Sequence, residues 1–146
     1  MRTLVLSIFV PAVLLAGCSS GGNADKTMQA NRAVLQADAT QVKKVSISDL
    51  RAAYLDESSD ESWTGAVVEI SGTVVAFAMS KKGLYSVTLS DGSNDAVCIF
   101  DASLASAIGE GRPVRAEATL AVQGQCGEAG MFASSPFQLD GCRLVD

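Results

Sequence analysis

The fold of this chain is restricted most by a series of short segments in which apolar and polar residues alternate. Residues 66–78, 84–89 and 114–122 alternate with a period of two, residues 96–100 are continuously apolar, and a last segment runs from about 138 to 145. Alternation is typical of strands with one buried face, and a short apolar run is typical of a strand covered on both faces. Gly72 lies within the first segment, where a missing side chain permits the bend by which one strand serves two parts of a barrel. We therefore expect five strands, the first of them bent.

Two short helices are predicted beside these strands. One spans about 49–58 with Ser48 as its cap, and the other spans 102–108 and is ended by Gly109. The order is helix, three strands, short helix and two strands, which is the element order of the OB-fold, a five-stranded, partly open Greek-key barrel. The sequence thus predicts a mainly β chain with an OB-fold domain over 46–146.

The amino terminus carries a second informative pattern. Arg2 precedes an apolar run over 4–16, which is long enough for a secretory signal and too short to span a bilayer. The run closes on the four residues of a bacterial lipobox, Leu15, Ala16, Gly17 and Cys18. We therefore expect residues 1–17 to be removed as a signal peptide and Cys18 to become the new, diacylated amino terminus.

Lipidation of Cys18 sets the expected location. Several acyl chains on one residue hold a protein at a membrane durably, so a transmembrane helix is not needed. By resemblance to lipoproteins of Gram-negative bacteria, Ser19 directs the chain to the periplasmic face of the outer membrane if the cell has one. Residues 18–45 are predicted to be a flexible tether, in which a short helix over 30–41 can form. The expected location is the cell envelope, with the membrane as a partner through the N-terminal lipid.

The charge of the folded part argues against nucleic acid as a partner. Residues 46–146 contain six basic and fourteen acidic residues, a net charge of about −8. Nucleic-acid-binding surfaces usually carry a basic stripe, because neutralising phosphates supplies most of their affinity. Lys81 and Lys82 are the one adjacent basic pair in this part, and a solvated loop tip is the ordinary explanation of such a pair.

Catalysis and metal binding are not predicted. The sequence has no histidine, which removes Ser-His and Cys-His dyads and the commonest metal ligand. The acidic cluster over 56–61 has no spacing that holds two carboxylates across a substrate, and we interpret it as a solvated loop. Residues 91–95 alternate as in a calcium loop, but Gly92 is out of place and no bidentate Glu follows, so a hairpin turn is expected. We expect a protein that is not an enzyme and has no metal or cofactor.

Three cysteines follow Cys18, at Cys98, Cys126 and Cys142. In an oxidising compartment one intramolecular disulfide is favoured, and an odd number leaves one thiol over. No C-x-x-C spacing is present, which argues against a thioredoxin-like or zinc-binding role. Cys126 and Cys142 flank an apparent hairpin and lie about opposite each other, so this is the predicted pair, with Cys98 and Cys142 as the alternative.

Six short motifs occur in a recognisable order and spacing, at 47–54, 67–74, 85–89, 97–100, 111–114 and 139–144. Together they resemble the tRNA_anti-like family of bacterial lipoproteins and small exported proteins, and the resemblance covers about 46–145. It implies an OB-fold similar to an anticodon-binding domain. This chain departs from the family pattern at 116–125, which intervene before Cys126 and lengthen the fourth strand or the loop after it.

The expected ligand face follows from the OB-fold, which binds on its second and third strands and the adjoining loops. Here that face includes Lys81, Lys82, Tyr85 and Phe100 with the loop over 123–131, although core packing is the ordinary alternative for the two aromatic residues. A fold hosts many functions, so the family name is not evidence for tRNA binding. We expect a non-catalytic module that meets an envelope protein, peptide or glycan. Oligonucleotide or oligosaccharide binding is the alternative.

Overall fold

The protein is described by a computed structural model over residues 22–55, 63–111, 114–127 and 137–146. The elements in this part are α1 (Gly22–Gln36), β1 (Lys43–Lys44), α2 (Ile47–Leu55), β2 (Val67–Met79), β3 (Tyr85–Ser90), β4 (Asp95–Phe100), α3 (Ser103–Gly109), β5 (Thr119–Cys126) and β6 (Phe137–Leu144). None of the described helices has the length and apolar character required to cross a bilayer. The lipobox and the acidic cluster over 56–61 lie outside the described residues. The predicted fold class is confirmed, with α2 before a closed five-stranded barrel and α3 between its third and fourth strands.

The barrel closes because β2 pairs with a strand on each side. Residues 67–73 pair antiparallel with β5, and residues 73–79 pair antiparallel with β3. The ring is completed by antiparallel β3–β4 and β5–β6 pairs and a parallel β4–β6 pair. Gly72 lies where β2 passes from one partner to the other, and a Cβ there would come within 2.9 Å of Ile47 Cδ1 and the Ser90 carbonyl oxygen. The glycine is therefore required by the close approach of α2 and β3.

The core lies inside the barrel and beneath the two short helices. α2 contributes Ile47 and Leu50, and α3 contributes Leu104. The largest fully buried side chains from the strands are Phe100, Ile70, Leu89 and Leu139, with Val68, Val74, Val87 and Val122. Burying each such side chain stabilises the fold by about 1.5–3 kcal/mol.

The second half of β2 exposes residues that simple alternation assigns to the core. Ala76 and Ala78 share a predicted face with Val74, yet of these three only Val74 is buried. A bulge between Val74 and Ala76 shifts the register with β3, and a shift of one residue exchanges the two faces of a strand. Phe77 then pairs with Val87 and is 45 % exposed, because β5 no longer covers this half of β2.

β5 begins and ends later than the alternation over 114–122 predicts. It begins at Thr119, because Glu117 adopts a φ of +67°, a left-handed conformation that interrupts an extended strand. The N–H of Glu117 donates to the Val74 carbonyl at 3.0 Å, and the N–H of Val74 donates to the Ala118 carbonyl at 2.9 Å. Residues 114–118 are thus largely a turn that meets β2 at its bulge.

α1 packs against β5 and β6, so the predicted flexible tether over 18–45 is wrong for this stretch. Thr27, Ala30 and Val34 are buried and form the contact face of the helix. The helix and strand backbones meet at Gly141, where a Cβ would lie 2.1 Å from the backbone nitrogen of Asn31. The contact face escaped prediction because it is narrow and includes a threonine, so the hydrophobic periodicity is weak.

The three cysteines within the described residues are buried thiols that are not bonded to one another. The predicted pair, Cys126 and Cys142, is not joined here because the two residues are not opposite. Cys126 pairs with Leu139 in the β5–β6 register, three residues before Cys142, and the register shifts along the two strands. Cys142 lies instead on the side of Cys98, its partner in the alternative pair, because its thiol donates to the carbonyl of Leu139, the residue paired with Cys98.

Candidate ligand-binding cavity

The loop between β2 and β3 carries two of the predicted ligand-face residues, Lys81 and Lys82. Ser80 fixes its conformation, because its hydroxyl accepts hydrogen bonds from the N–H groups of Lys82 and Leu84 at 3.3 and 3.2 Å. The N–H of Ser80 also donates to the Leu84 carbonyl at 2.7 Å. Gly83 takes the left-handed φ of +76° that the turn needs. Both lysines are exposed, so a well-bonded backbone presents two solvated ammonium groups.

A cavity of about 1030 Å³ opens beside this loop. Tyr85 and Ser86 of β3 and Ile99 of β4 line it from the barrel, and α1 adds a wall that includes Lys26 and Gln29. Because β3 and β4 are the second and third strands of the barrel, the cavity lies on the face with which OB-folds bind ligands. Its volume is in the range of sites that hold a small molecule or a segment of a polymer.

The cavity is locally basic in an otherwise acidic domain. Its lining includes Lys26, Lys81 and Lys82, and Asp140 is the one acidic residue among the described residues that line it. Asp140 accepts a hydrogen bond from the Gln138 side-chain amide at 2.7 Å. The ion pair found within the described part of the chain, between Lys44 and Glu69, involves none of the three lysines. An excess of unpaired positive charge around a concave surface attracts anions.

Tyr85 and Phe100, predicted together on the ligand face, occupy different environments. Tyr85 is half-buried, lines the cavity and stacks on Phe77 with ring centroids 5.8 Å apart. Phe100 pairs with Tyr85 in the register but is only 1 % exposed. The alternation along β4 places it on the inward face, together with Ala96 and Cys98. Phe100 is therefore a core residue, whereas Tyr85 lines the cavity.

The segment after β5 reaches the cavity at Gly127 and is held there by Tyr54, which the sequence did not single out as a site residue. The Tyr54 hydroxyl donates to the Gly127 carbonyl at 2.8 Å, and its ring stacks on Phe137 at 6.0 Å. Burial raises the pKa of Tyr54 well above its usual value, and nearby Cys126 and Asp140 raise it further, so the phenol keeps its proton. Helical periodicity turns Tyr54 inward, but no local pattern reveals a partner 73 residues away.

The described lining offers binding groups and no activated nucleophile. Cys126 lines the cavity, but burial raises the pKa of its thiol more than the Tyr54 hydrogen bond and Lys43 lower it. A thiol that stays protonated is a poor nucleophile. Within the described ranges, no group of three or more His, Cys, Asp or Glu residues is placed to hold a metal ion. Residues 128–131 of the predicted ligand loop lie outside the described residues.

The opposite end of β3 is closed by an acidic turn, as the sequence predicts. The Asp91 carboxylate accepts hydrogen bonds from the N–H groups of Ser93 and Asn94 at 3.0 and 2.9 Å, and from the N–H and hydroxyl of Ser48 at 2.9 and 2.5 Å. These bonds, that of the Ser48 hydroxyl foremost, lower the pKa of Asp91 to about 2. Ser48, the predicted cap of α2, thus bonds to the turn instead. Ser46 caps the helix, because its hydroxyl accepts a hydrogen bond from the N–H of Asp49 at 3.0 Å.

Comparison with known proteins shows a shared fold and a family. A solved structure of a lipoprotein from Klebsiella pneumoniae, a candidate nucleic acid-binding protein, matches with a TM-score of 0.57 and 13 % identity over 76 % of this chain and 100 % of that chain. A candidate aspartyl-tRNA synthetase from Leishmania major matches with a TM-score of 0.47 and 11 % identity over 75 % of this chain and 21 % of that chain. The asparaginyl-tRNA synthetase of Entamoeba histolytica matches with a TM-score of 0.41 and 16 % identity over 60 % of this chain and 22 % of that chain. No curated protein matches the chain. The tRNA_anti-like family model matches residues 1–134, and the chain therefore belongs to the tRNA_anti-like family.

Proposed function

We propose that this chain is a lipid-anchored protein of the bacterial cell envelope whose OB barrel holds an extended anionic ligand in the cavity described above. The observation that carries the ligand part is a cavity of about 1030 Å³ on the OB-fold ligand face, with Lys26, Lys81 and Lys82 in its walls. The role is binding, because the lining offers charged, amide and aromatic groups for recognition and no activated nucleophile.

The anchor part of the proposal rests on the lipobox formed by residues 15–18, with acylation at Cys18. Ser19 favours the outer membrane in a cell that has one. The likeness in fold to a lipoprotein of Klebsiella pneumoniae supports the same address. Acyl chains at the new amino terminus would hold the barrel at the membrane without a membrane-spanning segment.

The lining indicates an acidic peptide segment of an envelope protein as the ligand class. The three ammonium groups attract carboxylates, and side-chain amides at Gln29 and Gln138 can pair with the N–H and C=O groups of an extended backbone. Tyr85 adds a half-buried ring that can cover an apolar side chain.

A single-stranded oligonucleotide is a second candidate, favoured by the stacked Phe77 and Tyr85 rings next to Lys81 and Lys82. Aromatic rings within a basic groove are the usual means by which OB-folds hold single strands. The net charge of the domain opposes this ligand, but the local charge of the cavity is positive. The similar structure from Klebsiella pneumoniae is also a candidate nucleic acid-binding protein.

The ligand is tested with the full-length lipidated protein in detergent micelles, by fluorescence polarisation of an acidic peptide, a single-stranded DNA and an acidic oligosaccharide. Lys81→Glu/Lys82→Glu should weaken binding of the peptide by at least about tenfold, or ~1.4 kcal/mol. Arg32→Glu is the matched control, because Arg32 is exposed on α1 and does not line the cavity. Equal losses in both variants would exclude the cavity. Lysine-dependent binding of the DNA alone would replace the first candidate by the second.

The anchor is tested separately with Cys18→Ala. The wild-type protein should fractionate with membranes and carry acyl chains on Cys18 by mass spectrometry, and the variant should be neither acylated nor processed at this site. Normal processing and membrane fractionation of the variant would contradict the anchor.

A further inference from the structure

The interior of the barrel brings its three thiols close to one strand, β6. Cys98 is 0 % exposed, Cys142 is 1 % exposed and Cys126 is 2 % exposed. Leu139 of β6 pairs with Cys98 on one side and with Cys126 on the other. The two flanking cysteines are therefore separated by the width of a strand, and Cys142 decides which of them has a thiol neighbour.

Cys142 turns toward Cys98. Cys98 pairs with Leu139 of β6, and the Cys142 thiol lies on the carbonyl of that same Leu139, to which it donates at 3.3 Å. Cys98 and the backbone of Ile99 are accordingly among the groups that act on the pKa of the Cys142 thiol. On its other side a Cβ on Gly124 would lie only 2.6 Å from the Cys142 sulfur, so the glycine provides the space that the thiol fills. The Cys142 sulfur thus lies between Gly124 of β5 and the part of β6 that pairs with β4.

Cys126 has a different neighbour. Its thiol lies beside the Tyr54 hydroxyl, which donates its proton to the Gly127 carbonyl. Cys126 lies opposite Leu139 and lines the cavity from the core. It is engaged on the side of α2.

We propose that Cys98 and Cys142 form an intramolecular disulfide that ties β4 to β6, and that Cys126 remains a thiol. The proposal rests on the proposed envelope location, because structural disulfides form in oxidising compartments. The alternative pairing of Cys126 with Cys142 requires the two strands to slide past each other, whereas Cys142 already lies on the side of Cys98.

The oxidation proceeds by thiol–disulfide exchange with a disulfide-bearing oxidant, either a protein oxidoreductase or a small-molecule disulfide. One cysteine thiolate attacks the oxidant's disulfide and forms a mixed disulfide, releasing one oxidant sulfur as a thiolate. The second cysteine thiolate then attacks the protein sulfur of the mixed disulfide and releases the other oxidant sulfur. The two protons lost by Cys98 and Cys142 leave on the two reduced oxidant thiols. Both cysteines are buried in the folded barrel, so the exchange takes place before the core closes.

Peptide mapping of the full-length protein from cell envelopes tests the pairing without altering the fold. The protein is denatured, alkylated with N-ethylmaleimide without reduction, and digested with trypsin and Glu-C. Cleavage after Arg115 and Glu128 places the three cysteines on three different peptides. A linked pair of the Cys98 and Cys142 peptides, with Cys126 alkylated, is the expected result. A link to Cys126 would overturn the proposal, as would alkylation of all three cysteines both in this sample and in the refolded sample described next.

Two controls separate the pairing from the location. Protein made in a reducing cytosol and refolded with oxidised glutathione should form the same link; a link found only there would uphold the pairing and contradict the envelope location. Cys126→Ala should retain the link, and Cys98→Ala should lose it without transferring it to Cys126. Transfer to Cys126 in the second variant would show that the strands slide and would overturn the selectivity proposed.

Discussion

The two ends of β3 carry charges of opposite sign, and these charges differ in how far they are hydrogen-bonded within the protein. At the end of β3 near Ser90, the Asp91 carboxylate is saturated by hydrogen bonds from its own turn and from Ser48. At the Tyr85 end, Lys81 and Lys82 stand exposed beside a cavity, with their loop fixed by Ser80 and their ammonium groups in solvent. A charged group that is fully hydrogen-bonded within the protein stabilises a turn. A charged group that is exposed on a well-ordered loop can instead bind a ligand.

The largest expected effect comes from removing the helical wall of the cavity with Gly141→Ala. The new Cβ would lie 2.1 Å from the Asn31 backbone nitrogen, at a residue with a φ of +61°. We expect a loss of about 3 kcal/mol in the free energy of unfolding and faster hydrogen exchange in α1. Chemical denaturation and exchange mass spectrometry measure the two. Gly111→Ala is the control, because its φ is +88° with nothing within 4 Å, and an equal loss there would mean that backbone strain alone, not the α1 contact, is responsible.

The second largest effect is expected from reversing the charge beside the cavity, at the Tyr85 end of β3. Lys81→Glu/Lys82→Glu should reduce affinity for an anionic ligand by up to about a hundredfold, or ~2.8 kcal/mol, since each lysine loses an attraction and gains a repulsion. The free energy of unfolding should change by no more than about 0.5 kcal/mol, because both residues are exposed. Titration calorimetry and denaturant unfolding on the same samples test this pair of results. A large change in stability would show that the lysines are structural.

A smaller effect is expected at the entry of the β5 segment into the cavity. Tyr54→Phe removes the donor to the Gly127 carbonyl and keeps the ring stacked on Phe137. We expect a loss of about 1 kcal/mol in stability and a modest loss of ligand affinity. Thermal unfolding with and without ligand separates the two. Unchanged affinity together with unchanged stability would show that the hydrogen bond does not position this segment.

The smallest effect lies at the acidic end and depends on pH. The pKa of Asp91 is lowered to about 2, first by the Ser48 hydroxyl, so its contribution is complete above pH ~4, the value for an unfolded aspartate. The contribution is lost as the pH falls through about 2. Because the carboxylate is highly exposed, we expect a contribution of about 1 kcal/mol or less. Stability curves of wild type and Asp91→Asn should converge at low pH and separate at neutral pH. A constant difference in stability between the two proteins at every pH would show that ionisation of Asp91 does not stabilise the turn.

The barrel was predictable because its signals are local. Val68 and Ile70 alternate with polar residues, Gly72 marks the bend, and a short helix separates the third and fourth strands. The bulge at Val74 was not predictable, because the residues that shift the register look like a continuation of the same strand. The turn at Glu117 was missed for the same reason, since no glycine or proline marks its left-handed conformation.

The cavity was predictable in part. Lys81, Lys82 and Tyr85 were predicted because the OB-fold assigns ligand binding to that loop and strand, and all three line the cavity. Phe100 was placed on the same face, but its inward position in β4 buries it. Lys26 was missed, because it lies 55 residues before Lys81, on a helix whose weak hydrophobic periodicity does not predict packing on the barrel. Contacts between distant segments leave no periodic trace in either of them.

The docking of α1 on the barrel has a consequence for the proposed lipid anchor. Only three residues lie between Cys18 and the first residue of α1, Gly22, and this connection spans at most about 14 Å when fully extended. With the proposed acyl chains on Cys18, the barrel would therefore be held close to the bilayer, and the opening beside Lys26 would stay near the lipid headgroups. The proposed ligand would then be met at the membrane surface, so the anchor would limit which molecules the cavity encounters before affinity selects among them.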